Sequence, residues 1–157
     1  MSNLEYVPFS EREDYMNLKD FMLTDEFKEL PTVLDLNIEN CGRTHFKDVP
    51  NPRQVHFCNG SCYSDIHPYL IVEKTKSEKT IRMVRIESEV VKGSMADGSA
   101  EYEYFVKLKD GKLDRDYILE ARKPRANSMK KRLVDFQDGC YHYYLTDTPR
   151  YYYDPSF

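Results

Sequence analysis

The sequence predicts an α+β domain: a short N-terminal helix packed on an antiparallel β-meander of five or six strands, with a small all-β barrel as the alternative. Three observations carry this. Two-residue alternation runs through positions 68–146, turn pairs such as Asp110-Gly111 and Asp138-Gly139 interrupt it at hairpin spacing, and helical spacing of apolar residues is confined to positions 1–30. The 157 residues read as one domain, long enough to bury a core without metal or disulfide staples. It divides into a helical N-terminus (1–30), an irregular segment rich in Cys, His and Pro (31–67), the antiparallel sheet (68–146) and a tyrosine-rich tail (147–157).

The N-terminal helix is expected over 11–23, because Ser10 and Glu13 spell a capping box and Tyr15, Leu18 and Met22 fall on one face with Phe21 on its flank. Thr24-Asp25-Glu26 reads as a second N-cap with an acidic first turn, closed by Pro31. Pro31, Pro50, Pro52, Pro68, Gly42 and Gly60 leave room only for short strands at 32–38 and 54–57. Beyond Pro68, an apolar strand at 69–74 precedes a charged, bent one at 80–91. A flexible loop at 93–100 follows, then a cleanly alternating strand at 101–109, which Asp110-Gly111 returns along 113–122. A last pair, 131–136 and 140–146, is joined through Gln137-Asp138-Gly139.

Composition excludes several classes of function. A net charge of −4, with the two signs interspersed, gives solubility rather than a field that steers nucleic acid. No run approaches 18 apolar residues, so no membrane-spanning helix is expected. The start, Met1-Ser2-Asn3-Leu4-Glu5, has no signal-peptide pattern, so the chain as written reads as intracellular. A mature secreted domain placed behind a start methionine reads the same way. Walker, GxGxxG, GxSxG and HExxH patterns are absent from the sequence. The carboxylate pairs Glu87/Glu89, Glu101/Glu103 and Asp114/Asp116 fit the wet face of a sheet.

Cys41, Cys58, Cys62 and Cys140 admit three readings. They are free thiols filling space, or two disulfides with three pairings open, or part of a zinc site. The zinc reading takes Cys58, Cys62, Cys140 and His142 as ligands with Cys41 and His45 as spares, since a Cys-x-His pair on a strand shares one face. No other cofactor is expected. Asn59-Gly60-Ser61 is also a glycosylation sequon. A thiol nucleophile would be Cys62, with His56 or His67 as base and Asp65 to orient it. Cys58-Asn59-Gly60-Ser61-Cys62 resembles the CxGxC segment of the cystine-knot growth factors, with Cys41 upstream. Where those families carry a closing CxC pair this chain reads Cys140-Tyr141-His142, and it has no sixth cysteine, so the family is not assigned.

Two surface features remain. Arg122, Lys123, Arg125, Lys130, Lys131 and Arg132 concentrate six positive charges in eleven residues, in an inter-strand loop suited to an acidic partner or to phosphates. The chain has 13 tyrosines and no tryptophan, and Tyr151, Tyr152 and Tyr153 crowd the exit segment, which is expected to dock on its own sheet or on another subunit. The expected function is therefore a non-enzymatic binding or assembly protein working through protein–protein contacts, with another protein subunit as partner. Nucleic acid enters only through the basic 122–132 loop. A secreted disulfide-bonded β-module binding a ligand or host protein, and a small Cys/His metal protein or thiol enzyme, are the alternatives.

Overall fold

A computed structural model describes residues 6–35, 53–125 and 134–153. In chain order its strands and helices are β1 (Tyr15–Asn17), α1 (Leu18–Phe21), α2 (Asp25–Glu29), β2 (Val33–Asp35), β3 (Arg53–Val55), β4 (Phe57–Cys62), β5 (Asp65–Lys74), β6 (Thr80–Arg85) and β7 (Glu87–Lys92). They continue with β8 (Glu101–Lys109), β9 (Lys112–Leu113), β10 (Leu119–Arg122), β11 (Phe136–Asp138) and β12 (Tyr141–Thr146). Six strands close into a barrel in the order β10-β11-β12-β4-β5-β6, with β6 pairing back onto β10. The fold is therefore the all-β alternative, and the helix-backed α+β meander is corrected.

The closure follows from β5. Its run Tyr69-Leu70-Ile71-Val72 is buried at every position, which a strand achieves only when both of its faces are covered. Tyr69 and Ile71 point into the barrel with Cys58, Ile81, Met83, Ala121, Phe136, Tyr143 and Leu145. Leu70 and Val72 point outward into a second core with Phe57, Val84, Ile86 and Val106. A second sheet, ordered β1-β8-β7 with β9 hairpinned on β8, covers this outer face, while Phe21, Phe27 and Leu30 from the two short helices and their exit seal it. The expected strand at 80–91 divides at the fully buried Ile86, so β6 stays in the barrel and β7 crosses to the second sheet. The pair β2–β3 adds Val33 and Val55 to the barrel interior. Nearby, Arg53 donates to the buried Asp35 at 3.2 Å and to Asp147 at 2.7 Å.

The helix expected at 11–23 does not form. Ser10 sits in a 3-10 turn, Phe9–Glu11, without a side-chain cap. Tyr15–Asn17 is extended against Phe105–Lys107 of β8. Asn17, not Ser10, is the cap: its Oδ1 accepts the Lys19 N–H at 2.9 Å. A single short helix is marginal on its own, whereas pairing with β8 satisfies the backbone and directs Met16 toward the outer core. The second cap holds as expected, with Thr24 Oγ1 accepting the Phe27 N–H and α2 stopping before Pro31. Asp110-Gly111 turns β8 into β9 with φ of 53° and 79°, as a type I′ hairpin requires. The return strand lasts only two residues, because the chain then leaves to close the barrel as β10.

Candidate partner-binding surface

The tail is a strap laid across the seam between barrel and second sheet. After β12 the chain turns on Thr146, whose Oγ1 accepts the Thr148 N–H at 3.0 Å. The Arg150 N–H then donates to Asn59 Oδ1 on β4 at 2.9 Å, and the Tyr151 N–H to the Tyr104 hydroxyl on β8 at 2.8 Å. Tyr152 bridges to Ile66 on β5 through a reciprocal backbone pair of 2.9 and 2.8 Å. The Tyr151 ring meets Tyr102 edge-on at 4.9 Å and His67 at 5.3 Å. The tail thus docks on its own chain, as one of the two expectations had it, with Tyr151 half-buried while Tyr152 and Tyr153 stay exposed.

Beside the strap lies a cavity of about 410 Å³, lined by Leu18, Lys19 and Met22 on one side, Tyr102 and Tyr104 on another, and Thr148 and Pro149 on the third. Met22 and Tyr153 are both more than a third exposed at this surface and in the strap. Burial pushes the phenols of Tyr102, Tyr104 and Tyr151 up from their usual range, so all three stay neutral at physiological pH. The surface is mainly aromatic and hydrogen-bonding, with Lys19 and Glu103 adding one charge of each sign, a composition favoured at protein–protein contact cores.

His67 makes this surface sensitive to acid. Burial, and then the Arg85 guanidinium donating to its Nδ1 at 2.6 Å, hold its pKa below the ordinary value, with Asp65 opposing. His56, wedged at 4.2 Å from the Phe27 ring, is likewise lowered by burial, against the Pro31 carbonyl. Both imidazoles therefore fold neutral, and the unfolded chain takes up more protons as pH drops. Their contribution is complete above about pH 6.5, the unfolded value, and is lost as pH falls through the folded values. The urea midpoint is expected to fall between pH 7.5 and pH 5, less so in His67→Gln. A midpoint flat across that window contradicts this.

The expected zinc ligands do not converge. Cys58 is fully buried inside the barrel, where burial pushes its thiol well up. Cys58 and Cys62 lie on one extended strand, so four residues separate them by about 13 Å, too far to share a metal. His142 pairs in register with Ser61, on the face opposite Tyr143 and Leu145, which point inward. Among the described residues no three of His, Cys, Asp or Glu gather to hold a metal. No disulfide joins Cys58, Cys62 and Cys140, which are free thiols, and Cys62 meets Cys140 rather than an imidazole. Cys41 and His45 lie outside the described residues.

The basic segment divides in the same way. Arg122 pairs with Glu120 at 3.3 Å, and Glu120 also accepts from Arg82 at 3.2 Å. The Lys123 ammonium stands 6.0 Å over the Phe136 ring, and Arg125 is exposed. Lys130, Lys131 and Arg132 lie outside the described residues. Sequence reasoning missed Tyr102, Tyr104, Met22 and Asn59 as parts of the site. The clean alternation of β8 places Tyr102 and Tyr104 on one face but carries no sign that the strap would meet them. No known protein family, curated protein or solved structure matches this chain, so the chemistry of the surface rests on its own residues.

Proposed function

We propose that this chain is a binding protein that receives a segment of a partner protein on the tyrosine surface built by its C-terminal strap. The observation that carries this reading is the strap itself. It fixes Tyr151 against Tyr102 and His67, and leaves Tyr152 and Tyr153 exposed next in the chain. An ordered aromatic offered to solvent loses little side-chain entropy on binding, which is why tyrosine concentrates at contact hot spots. The cavity beside the strap, with Met22 at its edge and Lys19 and Glu103 on its wall, offers an apolar slot with one charge of each sign for orientation.

The test is selection from a random peptide display library on the wild-type chain, followed by calorimetry of the enriched peptides. Met22→Glu and the pair Tyr152→Ser/Tyr153→Ser are each expected to weaken binding by about tenfold or more. Their thermal midpoints should fall by only about 2–4 °C, because each side chain is already about a third exposed and the Ile66–Tyr152 backbone pair is retained. Peptides that bind all three chains equally, or a selection that enriches nothing, would overturn the proposal.

A further inference from the structure

We infer that Cys62 and Cys140 are a redox-active pair that closes into a reversible disulfide, stapling two hairpin tips at one end of the barrel. Cys62 is the last residue of β4, just before the two-residue turn Tyr63-Ser64 into β5. Cys140 is the second residue of the two-residue turn Gly139-Cys140 between β11 and β12. Because β4 and β12 pair antiparallel, with Ser61 opposite His142, the two tips are brought side by side. The sulfurs lie 2.7 Å apart, with the Cys62 thiol donating to Cys140, so a bond of the usual length needs an approach of only about 0.7 Å. Four cysteines alone allow about six single cross-links, and this contact picks out Cys62–Cys140.

Access separates these two thiols from the third described cysteine. Cys140 is exposed and Cys62 partly so, whereas Cys58 is fully buried among barrel side chains. Both tips also sit on backbones held by left-handed residues, Tyr63 at φ 71° and Gly139 at φ 58°. The pairing is thus set by the turns and by strand register.

The oxidant is a small-molecule disulfide of the glutathione class. The Cys140 thiolate attacks one of its sulfurs and expels one thiolate, giving a mixed disulfide on Cys140. The Cys62 thiolate then attacks the Cys140 sulfur and expels the second. One S–S bond is broken and one formed, and two electrons pass to the oxidant, whose two released thiols take up the two protons. A dithiol reductant reverses the sequence. Closing so long a loop restricts the unfolded chain and raises stability. This inference stands on the thiol geometry alone and is independent of the proposed binding role.

The full chain, and in parallel its Cys41→Ser variant, is equilibrated with oxidised glutathione, quenched with an alkylating agent and mapped by peptide mass spectrometry. The expected product has lost two hydrogens and carries a single cross-linked peptide joining Cys62 to Cys140. Its thermal midpoint should rise by about 5 °C or more and fall back with dithiothreitol. Cys140→Ser should abolish both the cross-link and the shift. Cys62 and Cys140 recovered alkylated in both chains, or each carrying its own glutathione, would overturn the inference, as would a cross-link made only to Cys41.

Discussion

Replacing Gly60 with alanine is expected to destabilise the barrel by about 3 kcal/mol, the upper range of core overpacking. The position does not need glycine for its backbone, since Gly60 is absent from the residues with positive φ. It needs glycine for space. A Cβ there would stand 2.6 Å from Cδ1 and Cε1 of Tyr143 and 2.8 Å from Cε2 of Tyr69. Those two rings fill the barrel interior as an edge-on pair 5.3 Å apart, with Tyr69 3% and Tyr143 2% exposed, so neither has room to swing aside. Urea unfolding should show a lower midpoint with an unchanged slope. Adding Tyr143→Leu should make the double variant lose less than the sum of the two single changes, because the collision partner has gone. A Gly60→Ala chain as stable as wild type would mean that the two tyrosines do not meet over this glycine.

Truncation after Pro149 is expected to lower the thermal midpoint by about 6–10 °C while leaving the barrel folded. What is lost includes the Arg150 N–H bond to Asn59 Oδ1 and three further backbone bonds. The two Ile66–Tyr152 backbone bonds and the Tyr151 N–H bond to Tyr104 are worth about 1 kcal/mol each at most. The ring contacts of Tyr151 with Tyr102 and His67 add about 1 kcal/mol more. The barrel survives because its interior residues, from Val33 to Leu145, lie upstream of the strap. Peptide binding should disappear together with the strap. A truncated chain with the midpoint of the full one would mean that residues 150–153 are not docked. A chain that no longer folds would mean that they are core rather than surface.

Local patterning was legible in the sequence wherever it was self-contained. Thr24 as a cap, Asp110-Gly111 as a tight turn and the alternation of Tyr102, Tyr104 and Val106 all follow from side-chain chemistry within a few residues. Long-range pairing was not. Nothing within positions 119–122 says that the strand pairs with 80–83 rather than returning along β8, and the hairpin from Gly111 ends at Leu113 instead of running to 122. The unbroken apolar run Tyr69-Leu70-Ile71-Val72 within β5 was the sign of a closed barrel, because it lacks the wet face that a one-sided meander would expose. The helical spacing of Tyr15, Leu18 and Met22 misled, since three residues of extended chain serve the same outer core by alternating Tyr15 away from Met16.

The candidate surface was half legible. Tyr151–Tyr153 stood out by composition, but their partners Ile66, His67, Asn59 and Tyr104 come from three distant parts of the chain. Gly60 read as punctuation in an irregular segment. It is instead an interior strand position kept empty for two rings. The Cys-x₃-Cys spacing suggested a shared metal, and the extended backbone of β4 removes that option by stretching it.

Amide hydrogen exchange at Ile66, Tyr151 and Tyr152, with and without a selected peptide, tests the strap most directly. The free protein should protect all three amides, because each donates to a fixed acceptor. Bound peptide should slow exchange further at 102–104 and 151–153, and little elsewhere. Exchange of these amides at the rate of an unstructured chain, or peptide protection confined to another face of the barrel, would contradict the account.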